Sequence, residues 1–168
     1  YPELFAEQLA SNKDLRHHIR TKSIEGMPIY GECGGFMYLC RDLCDLDGNT
    51  FPMTGCFPIS TRMFHRLKSL GYREATLRKD TIIGSKGNKI KGHEFHYSEI
   101  FDVSEKIDNV YTVAARMDGN RKEEGFQVKR TLGSYLHLHF GSQPDTAYEF
   151  VKSCALFKAE RIKIHETQ

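Results

Sequence analysis

The sequence predicts a three-layer α/β sandwich, in which a mixed β-sheet is flanked by helices. Two helical patterns open the chain, a short apolar strand then runs directly into another helix, and a β-rich stretch is closed by an amphipathic helix. The chain has 168 residues, of which 39% are hydrophobic and 27% are charged. That length and composition are typical of one soluble globular domain.

The helices are predicted from apolar residues spaced three and four positions apart. Phe5 and Leu9 mark the first pattern, and Leu15 and Ile19 mark the second, which has Gly26 as its stop. We therefore expect helices over residues 1–11, 13–25, 34–43 and 144–159, followed by a polar, frayed tail over residues 160–168. On this interpretation residues 1–159 form the domain.

The strands are predicted from short runs rich in β-branched and aromatic residues and bounded by turn residues. We expect them over residues 27–30, 71–77, 81–83, 89–97, 111–117, 126–130 and 132–137, with a charged loop over residues 118–124. A buried strand such as residues 27–30 needs a parallel neighbour on each side, and little sequence precedes it. We therefore expect the domain to be truncated, lacking its N-terminal strand.

The charge balance and the cysteine content argue against several classes of protein. The net charge is +2 and no basic run resembles a nucleic-acid-binding stripe, so we expect no nucleic acid partner. No apolar run is long enough to span a membrane and no secretory signal opens the chain, so we expect no membrane partner.

Five cysteines without a C-x-x-C pair are typical of free thiols in a reducing, cytoplasmic setting. Cys40, Cys44 and Cys154 lie at helical core spacings and are expected to pack.

The segment Gly31-Glu32-Cys33-Gly34-Gly35 has the Gly-x-Cys-x-Gly spacing of a nucleophile elbow, with cysteine as the nucleophile. A residue on so sharp a turn has a strained backbone, and side chains two positions before and after it would clash with the crossing chain. The unpaired N–H groups of the following helix would favour a thiolate at Cys33. A buried structural cysteine in a glycine-rich turn is the alternative.

A cysteine nucleophile needs a base, which is usually distant in sequence. Alternation along a strand places His137 and His139 on one face at its end. Another strand places Glu94 and His96 on one face. A zinc ion bound by Cys33 and these histidines is the competing interpretation, although no C-x-x-C pair or H-E-x-x-H helix supports it.

Three segments together resemble a known family: GECGGFMYL at residues 31–39, KGHEFHYS at residues 91–98 and GSYLHLHF at residues 133–140. They are similar to the glutamine amidotransferase domain of cobyrinate a,c-diamide synthases, in the cobyrinate/cobyrate branch of the class I (triad) glutamine amidotransferases. The opening YPELFAEQL is similar to the stretch that follows the glycine-rich loop of that family. The resemblance covers residues 1 to about 157 and implies a flavodoxin-like sandwich with a glutaminase function.

The resemblance also implies a role for each candidate residue. Cys33 would attack the carboxamide of L-glutamine, forming a thioester and releasing ammonia, with His137 as its base. The backbone N–H of Gly34 would contribute one donor to the oxyanion hole. Glu94 and His96 would be supporting or interdomain residues near the site, and His139 would be a further supporting residue. No metal ion and no cofactor would be needed in this domain.

The chain departs from the family pattern in two respects. Many class I amidotransferases have a glutamate two residues after the catalytic histidine, where this chain has His139. Either another group orients His137, for which Glu94 is the expected residue, or the site works as a dyad. The glycine-rich loop that supplies the other oxyanion donor is absent, and no G-x-x-x-x-G-K-[ST] motif is present. The resemblance therefore implies a separate synthetase domain, in the same polypeptide, that binds ATP, Mg²⁺ and a corrinoid.

The whole enzyme implied in this way is an ATP-dependent, glutamine-hydrolysing amidoligase that amidates the a and c carboxylates of cobyrinate in cobalamin biosynthesis. The corresponding domain of nickel-sirohydrochlorin a,c-diamide synthase or of cobyrate synthase is the alternative within the family. A non-catalytic or zinc-binding module is the alternative of another class.

Overall fold

The structure is a computed structural model that describes residues 1–115 and 121–166, the last three of them by their backbone alone. The described helices are α1 (Ala6–Ser11), α2 (Lys13–Ile24), α3 (Gly34–Leu39) and α4 (Asp145–Glu166), the last preceded by a short 3₁₀-helix, Phe140–Ser142. The described strands are β1 (Ile29–Glu32), β2 (Asp42–Cys44), β3 (Thr50–Pro52), β4 (Ile59–Met63), β5 (Ser69–Leu77), β6 (Lys89–His96), β7 (Ser98–Val103), β8 (Asn109–Ala115), β9 (Arg121–Val128), β10 (Thr131–Ser134) and β11 (His137–Leu138). None of these helices is both long enough and apolar enough to cross a membrane.

The strands of the described residues form two sheets. The larger, of seven strands, has the order β1-β10-β9-β8-β5-β6-β11, in which β1 and β10 are parallel and the other pairs are antiparallel. The smaller, of four strands, has the order β3-β2-β4-β7. Only Tyr135 and Leu136 separate β10 from β11 in sequence, yet β11 is the far edge of the larger sheet. The sheet therefore curls until that edge comes close to the C-terminal end of β1.

Alternating residues of β10 assign the helices to opposite faces of the larger sheet. Leu132 belongs to a core cluster against which Tyr30 and Phe150 of α4 pack. The neighbouring Gly133 faces α3 instead, because a Cβ at that position would lie 2.8 Å from a ring carbon of Phe36. With α3 on one face and α4 on the other, the predicted three-layer α/β sandwich is confirmed.

The helix that follows Cys33 is shorter than predicted, because α3 ends at Leu39 rather than at residue 43. Cys40 is already extended, and the next residues form β2, which pairs with β3 and with β4. Pairing with strands that come later in the chain overrides the helical spacing of this segment. Cys44 therefore lies in a strand rather than a helix, although it is buried as expected.

The segment predicted as a charged loop over residues 118–124 is partly a strand. Residues 116–120 lie outside the described residues, and β9 begins at Arg121. Glu124 pairs with Tyr111 of β8. Its buried carboxylate accepts hydrogen bonds from the Ser134 hydroxyl (2.6 Å) and the Tyr135 N–H (2.8 Å). The charged composition of this segment predicts a loop. The strand forms because the Glu124 carboxylate accepts hydrogen bonds from donors in a distant part of the sequence.

Other predicted elements also differ from the structure. The strand predicted over residues 132–137 is two strands, β10 and β11, which lie in different parts of the larger sheet. The first helix begins at Ala6 rather than at residue 1. Residues 81–83 form a turn, with a single bridge from Thr81 to Gly84, rather than a strand. α4 continues past residue 159, and two guanidinium nitrogens of Arg130 donate to the Glu160 carboxylate there, each at 2.8 Å. The predicted frayed tail is therefore helical to residue 166, and residues 167 and 168 lie outside the described residues.

Candidate active site

Cys33 lies between β1 and α3, where the chain turns sharply from strand to helix. Its backbone has φ 47° and ψ −107°, a strained conformation for a residue with a side chain. Its N–H donates to the Ser134 carbonyl of β10 (2.8 Å), which fixes the turn against the larger sheet. The strand–turn–helix geometry that the motif predicts is confirmed.

The two glycines that flank this turn differ in how closely they are packed. A Cβ at Gly31 would lie 2.7 Å from Leu39 Cδ1 and 3.0 Å from the carbonyl carbon of Gly35. A Cβ at Gly35 would meet no atom within 4 Å. The steric requirement predicted for both positions is therefore confirmed for Gly31 and wrong for Gly35, which borders open space.

The thiol of Cys33 is partly buried, and its Sγ lies 3.8 Å from the carbonyl oxygen of Phe95 on β6. Burial raises the pKa of this thiol, against the opposing effect of a hydrogen bond from the Gly34 N–H. The Gly34 N–H at the helix terminus therefore favours the thiolate, as expected, but burial outweighs its effect on the pKa. Because the nucleophilic form of cysteine is the thiolate, this thiol needs a base.

His137, on β11, is the histidine that the curled sheet brings toward the end of β1. It pairs with His93 of β6, and the two imidazole rings stack with their centroids 4.8 Å apart and an interplanar angle of 11°. Nδ1 of His137 lies 3.7 Å from Oε2 of Glu32, the residue that precedes Cys33. His137 and Cys33 therefore lie at the same end of the larger sheet.

Glu32 provides the carboxylate at this site. Its Oε1 accepts hydrogen bonds from the Tyr30 hydroxyl (2.5 Å) and from the Leu138 N–H (2.7 Å). Because Leu138 follows His137, Glu32 links the strand that leads to the cysteine with the strand that carries the histidine. The sequence interpretation missed this residue, and its place inside the Gly-x-Cys-x-Gly motif is the one signal that could have found it.

Glu94 is fully buried on β6, and its carboxylate has other partners. It accepts hydrogen bonds from Ser69, Arg73 and Lys122 at 2.7, 2.9 and 2.5 Å. Burial alone would raise the pKa of Glu94, but these hydrogen bonds, led by that from Lys122, hold the pKa below its ordinary value. Adjacent strand residues face opposite sides, so Glu94 lies on the other side of β6 from the ring that stacks on His137. Glu94 is therefore not placed to orient His137, contrary to expectation.

The other two histidine candidates take no part in the contacts that link Glu32 to β11. His96 is buried, its ring stacks on Tyr135 with centroids 4.1 Å apart, and its Nδ1 lies 2.8 Å from the Ser98 carbonyl oxygen. Burial lowers the pKa of His96. His139 is exposed, and its backbone N–H donates to the Lys91 carbonyl at 2.8 Å.

The zinc interpretation requires Cys33, His96, His137 and His139 to converge. Within residues 1–115 and 121–166, no group of three or more histidine, cysteine, aspartate or glutamate side chains is arranged to hold a metal ion. The site combines a thiol, an imidazole and a carboxylate, a set that can perform nucleophilic catalysis.

The chain matches the CobB/CobQ-like glutamine amidotransferase domain family over residues 1–145. It is 43% identical over 155 residues to the cobyrinate a,c-diamide synthase of Leptospira interrogans serogroup Icterohaemorrhagiae serovar copenhageni. It is 42% identical over 143 residues to that of Listeria monocytogenes serotype 4b. These alignments cover 92% and 83% of this chain but only 34% and 31% of the relatives, so the chain spans about one third of their length.

A solved structure shows the same fold. The crystal structure of a glutamine amidotransferase aligns with a TM-score of 0.57 and 15% sequence identity, covering 88% of this chain and 72% of that one. Identity this low supports the fold alone. The family match extends over most of the sequence, and this chain therefore belongs to the CobB/CobQ-like glutamine amidotransferase domain family.

Proposed function

We propose that this chain is the glutaminase domain of an ATP-dependent amidoligase and that Cys33 is its nucleophile. The observation that carries the proposal is the strained turn at Cys33, with φ 47°, which presents a thiol at the end of the sheet where His137 lies. Strain of this kind costs roughly 1–3 kcal/mol and clusters at active sites. Membership of an amidotransferase family supports the same chemistry.

His137 supplies the base that the thiol needs. Burial raises the pKa of Cys33, so the thiol keeps its proton near neutral pH. His137 accepts that proton while the sulfur attacks the carboxamide carbon of L-glutamine. The oxyanion that forms accepts a hydrogen bond from the Gly34 N–H. Return of the proton by His137 releases ammonia and leaves a γ-glutamyl thioester, which water hydrolyses to glutamate and free thiol.

The ammonia is used by a part of the enzyme outside this chain. The chain spans about one third of the relatives, which are named cobyrinate a,c-diamide synthase. A synthetase domain of the same polypeptide would use ATP and Mg²⁺ to activate the a and c carboxylates of cobyrinate, a corrinoid, for attack by ammonia. The glutaminase domain itself would need no cofactor. Cobalamin biosynthesis in the cytoplasm is the proposed setting.

Labelling with 6-diazo-5-oxo-L-norleucine, an electrophilic analogue of glutamine, tests the proposal. In the full-length polypeptide, peptide mass spectrometry should find the label on Cys33 and not on Cys154, the other partly buried cysteine. Glutamine should compete with the label, and Cys33→Ser should lose both the label and glutamine hydrolysis. A label that is absent, or that glutamine does not displace, would count against the proposal.

A further inference from the structure

The carboxylate of Glu32 has a fixed orientation between β1 and β11. The Tyr30 hydroxyl, from the same strand, and the Leu138 N–H, from β11, both donate to Oε1, at 2.5 and 2.7 Å. Two donors on one oxygen restrict rotation of the carboxylate. Oε2 is left to face Nδ1 of His137 at 3.7 Å.

The backbone that carries Glu32 is fixed as well. β1 pairs with β10 in parallel, with Glu32 opposite Ser134, whose carbonyl also accepts the N–H of Cys33. The side chain of Glu32 is 25% exposed and that of His137 is 35% exposed, so water screens their attraction only in part. A single short segment therefore holds the nucleophile and a carboxylate in fixed relation to the histidine.

We infer that Glu32 is the residue that positions His137 for glutamine hydrolysis, an inference that rests on the proposed glutaminase function. An acceptor that faces Nδ1 keeps the ring proton on that nitrogen and leaves Nε2 free to accept the proton of the Cys33 thiol. The negative charge also stabilises the imidazolium that forms during the attack. A carboxylate two residues after His137, where this chain has His139, is then not required. Glu32 acts on the substrate only through His137.

The surroundings of His137 support this assignment. Among the described contacts, the titratable groups that face its ring are Glu32 from β1 and His93 from β6. His93 is a second imidazole, which carries no negative charge and so supplies no counter-charge to an imidazolium. Glu94 lies on the opposite side of β6. Glu32 is therefore the group in contact with His137 that favours the imidazolium.

Glu32→Gln tests the inference with little change in shape. Glutamine keeps an oxygen for the two donors to Oε1 but presents an amide N–H₂ group to Nδ1 of His137. In the full-length polypeptide we expect kcat for glutamine hydrolysis to fall about 100-fold, with KM changed by less than about threefold. Glu160→Gln, which removes a carboxylate paired with Arg130, is the matched control and should keep the wild-type rate.

A second variant separates the effect of the orientation of the Glu32 carboxylate from the effect of its charge. Tyr30→Phe removes one donor to Oε1 but keeps the carboxylate, so kcat should fall by a smaller factor, about 3- to 10-fold. Wild-type kcat in Glu32→Gln would overturn the inference. Wild-type protein that fails to hydrolyse glutamine would instead overturn the proposed function.

NMR of the ring nitrogens of His137 tests the inference independently of enzyme activity. The neutral ring of His137, assigned by comparison with His137→Gln, should be the Nδ1–H tautomer in wild-type protein. In Glu32→Gln it should shift toward the Nε2–H tautomer, because the acceptor at Nδ1 is lost. The signals of the exposed His139 are the internal control. The same His137 tautomer in both proteins would contradict the positioning role.

Discussion

At the residue scale, the two glycines of the Cys33 turn should respond differently to the same substitution. Gly31→Ala would place a methyl group 2.7 Å from Leu39 Cδ1, so we expect the free energy of unfolding to fall by about 1–3 kcal/mol. Gly35→Ala would add a methyl group in open space on a helix, where alanine is favoured over glycine by about 0.5–1 kcal/mol. Urea titration of both variants measures the changes. Equal destabilisation by the two substitutions would contradict the steric account of the turn.

His96 should make the stability of the fold depend on pH. Burial lowers its pKa, its Nδ1 contacts the Ser98 carbonyl, and its buried Nε2 has no hydrogen-bond partner among the described residues. Because the unfolded chain binds the proton more readily, the free energy of unfolding should fall as the pH drops below about 6.5. His96→Phe keeps a ring beside Tyr135 but removes this titration. The stability advantage of wild-type protein over the variant, measured by urea titration, should therefore shrink between pH 8 and pH 5. A constant difference would show that His96 is not the group responsible.

Glu32 illustrates which contacts of the site cannot be predicted from the sequence. The nucleophile turn is predictable because its glycine spacing is local, and alternation correctly places Glu94 and His96 on one buried face of β6. The hydrogen bond from Leu138 to Glu32 joins positions 106 residues apart. It depends on how the larger sheet curls to bring β11 beside β1. No local pattern in the sequence specifies that register.

At the element scale, the start of α3 can be predicted from the sequence, but its end and the strand β2 that follows cannot. The start of α3 follows from the turn at Cys33, which needs a helix directly after it. Its end at Leu39 depends on β3 and β4, which pair with Asp42–Cys44 and come later in the chain. A helical spacing of Leu39, Cys40 and Leu43 is equally compatible with a strand that is buried between two others. The prediction therefore fails where long-range pairing, rather than local preference, decides the structure.

β1 should accept a further strand. Among the described residues it pairs with β10 alone, so its other edge has unpaired backbone groups. The N–H groups of Ile29 and Cys33 donate to carbonyls on the β10 side, and by alternation those of Tyr30 and Glu32 point to the free edge. An apolar groove runs along this edge. We expect a segment upstream of residue 1, in a longer polypeptide, to pair there.

Amide hydrogen exchange measures that pairing. In this chain alone, the amides of Tyr30 and Glu32 should exchange faster than those of Ile29 and Cys33. In the polypeptide extended upstream, the amides of Tyr30 and Glu32 should become protected by at least about tenfold. Fast exchange at both residues in the longer polypeptide would mean that no strand is added at this edge.

At the scale of the whole molecule, an exposed apolar surface adjoins the candidate active site. Leu70 and Tyr72 of β5 are 65% and 72% exposed and pair in register with Phe95 and His93 of β6. Phe95 is itself 48% exposed, and the ring of His93 stacks on the candidate base. Clustered apolar surface of this kind marks interaction sites. Its position beside the site that would release ammonia fits contact with the synthetase domain.

Tyr72→Ser tests this contact in the full-length polypeptide. The variant should release about threefold or more free ammonia per amide formed, because a weakened contact lets ammonia escape before it is used. Its rate of glutamine hydrolysis should stay close to that of the wild type. Tyr148→Ser, at a 65% exposed tyrosine on α4, is the matched control. Ammonia and amide product are measured in one assay, and unchanged coupling in Tyr72→Ser would rule out this surface as the contact.

Detection of the covalent intermediate on Cys33 shows whether this cysteine is the nucleophile. The full-length polypeptide is mixed with glutamine, quenched in acid during turnover and analysed by peptide mass spectrometry. If Cys33 is the nucleophile, one γ-glutamyl group should be found on the peptide that contains Cys33, should be removed by hydroxylamine as a thioester is, and should be absent from Cys33→Ala. Glutamine hydrolysis without this adduct, or with the adduct on another residue, would contradict that role of Cys33.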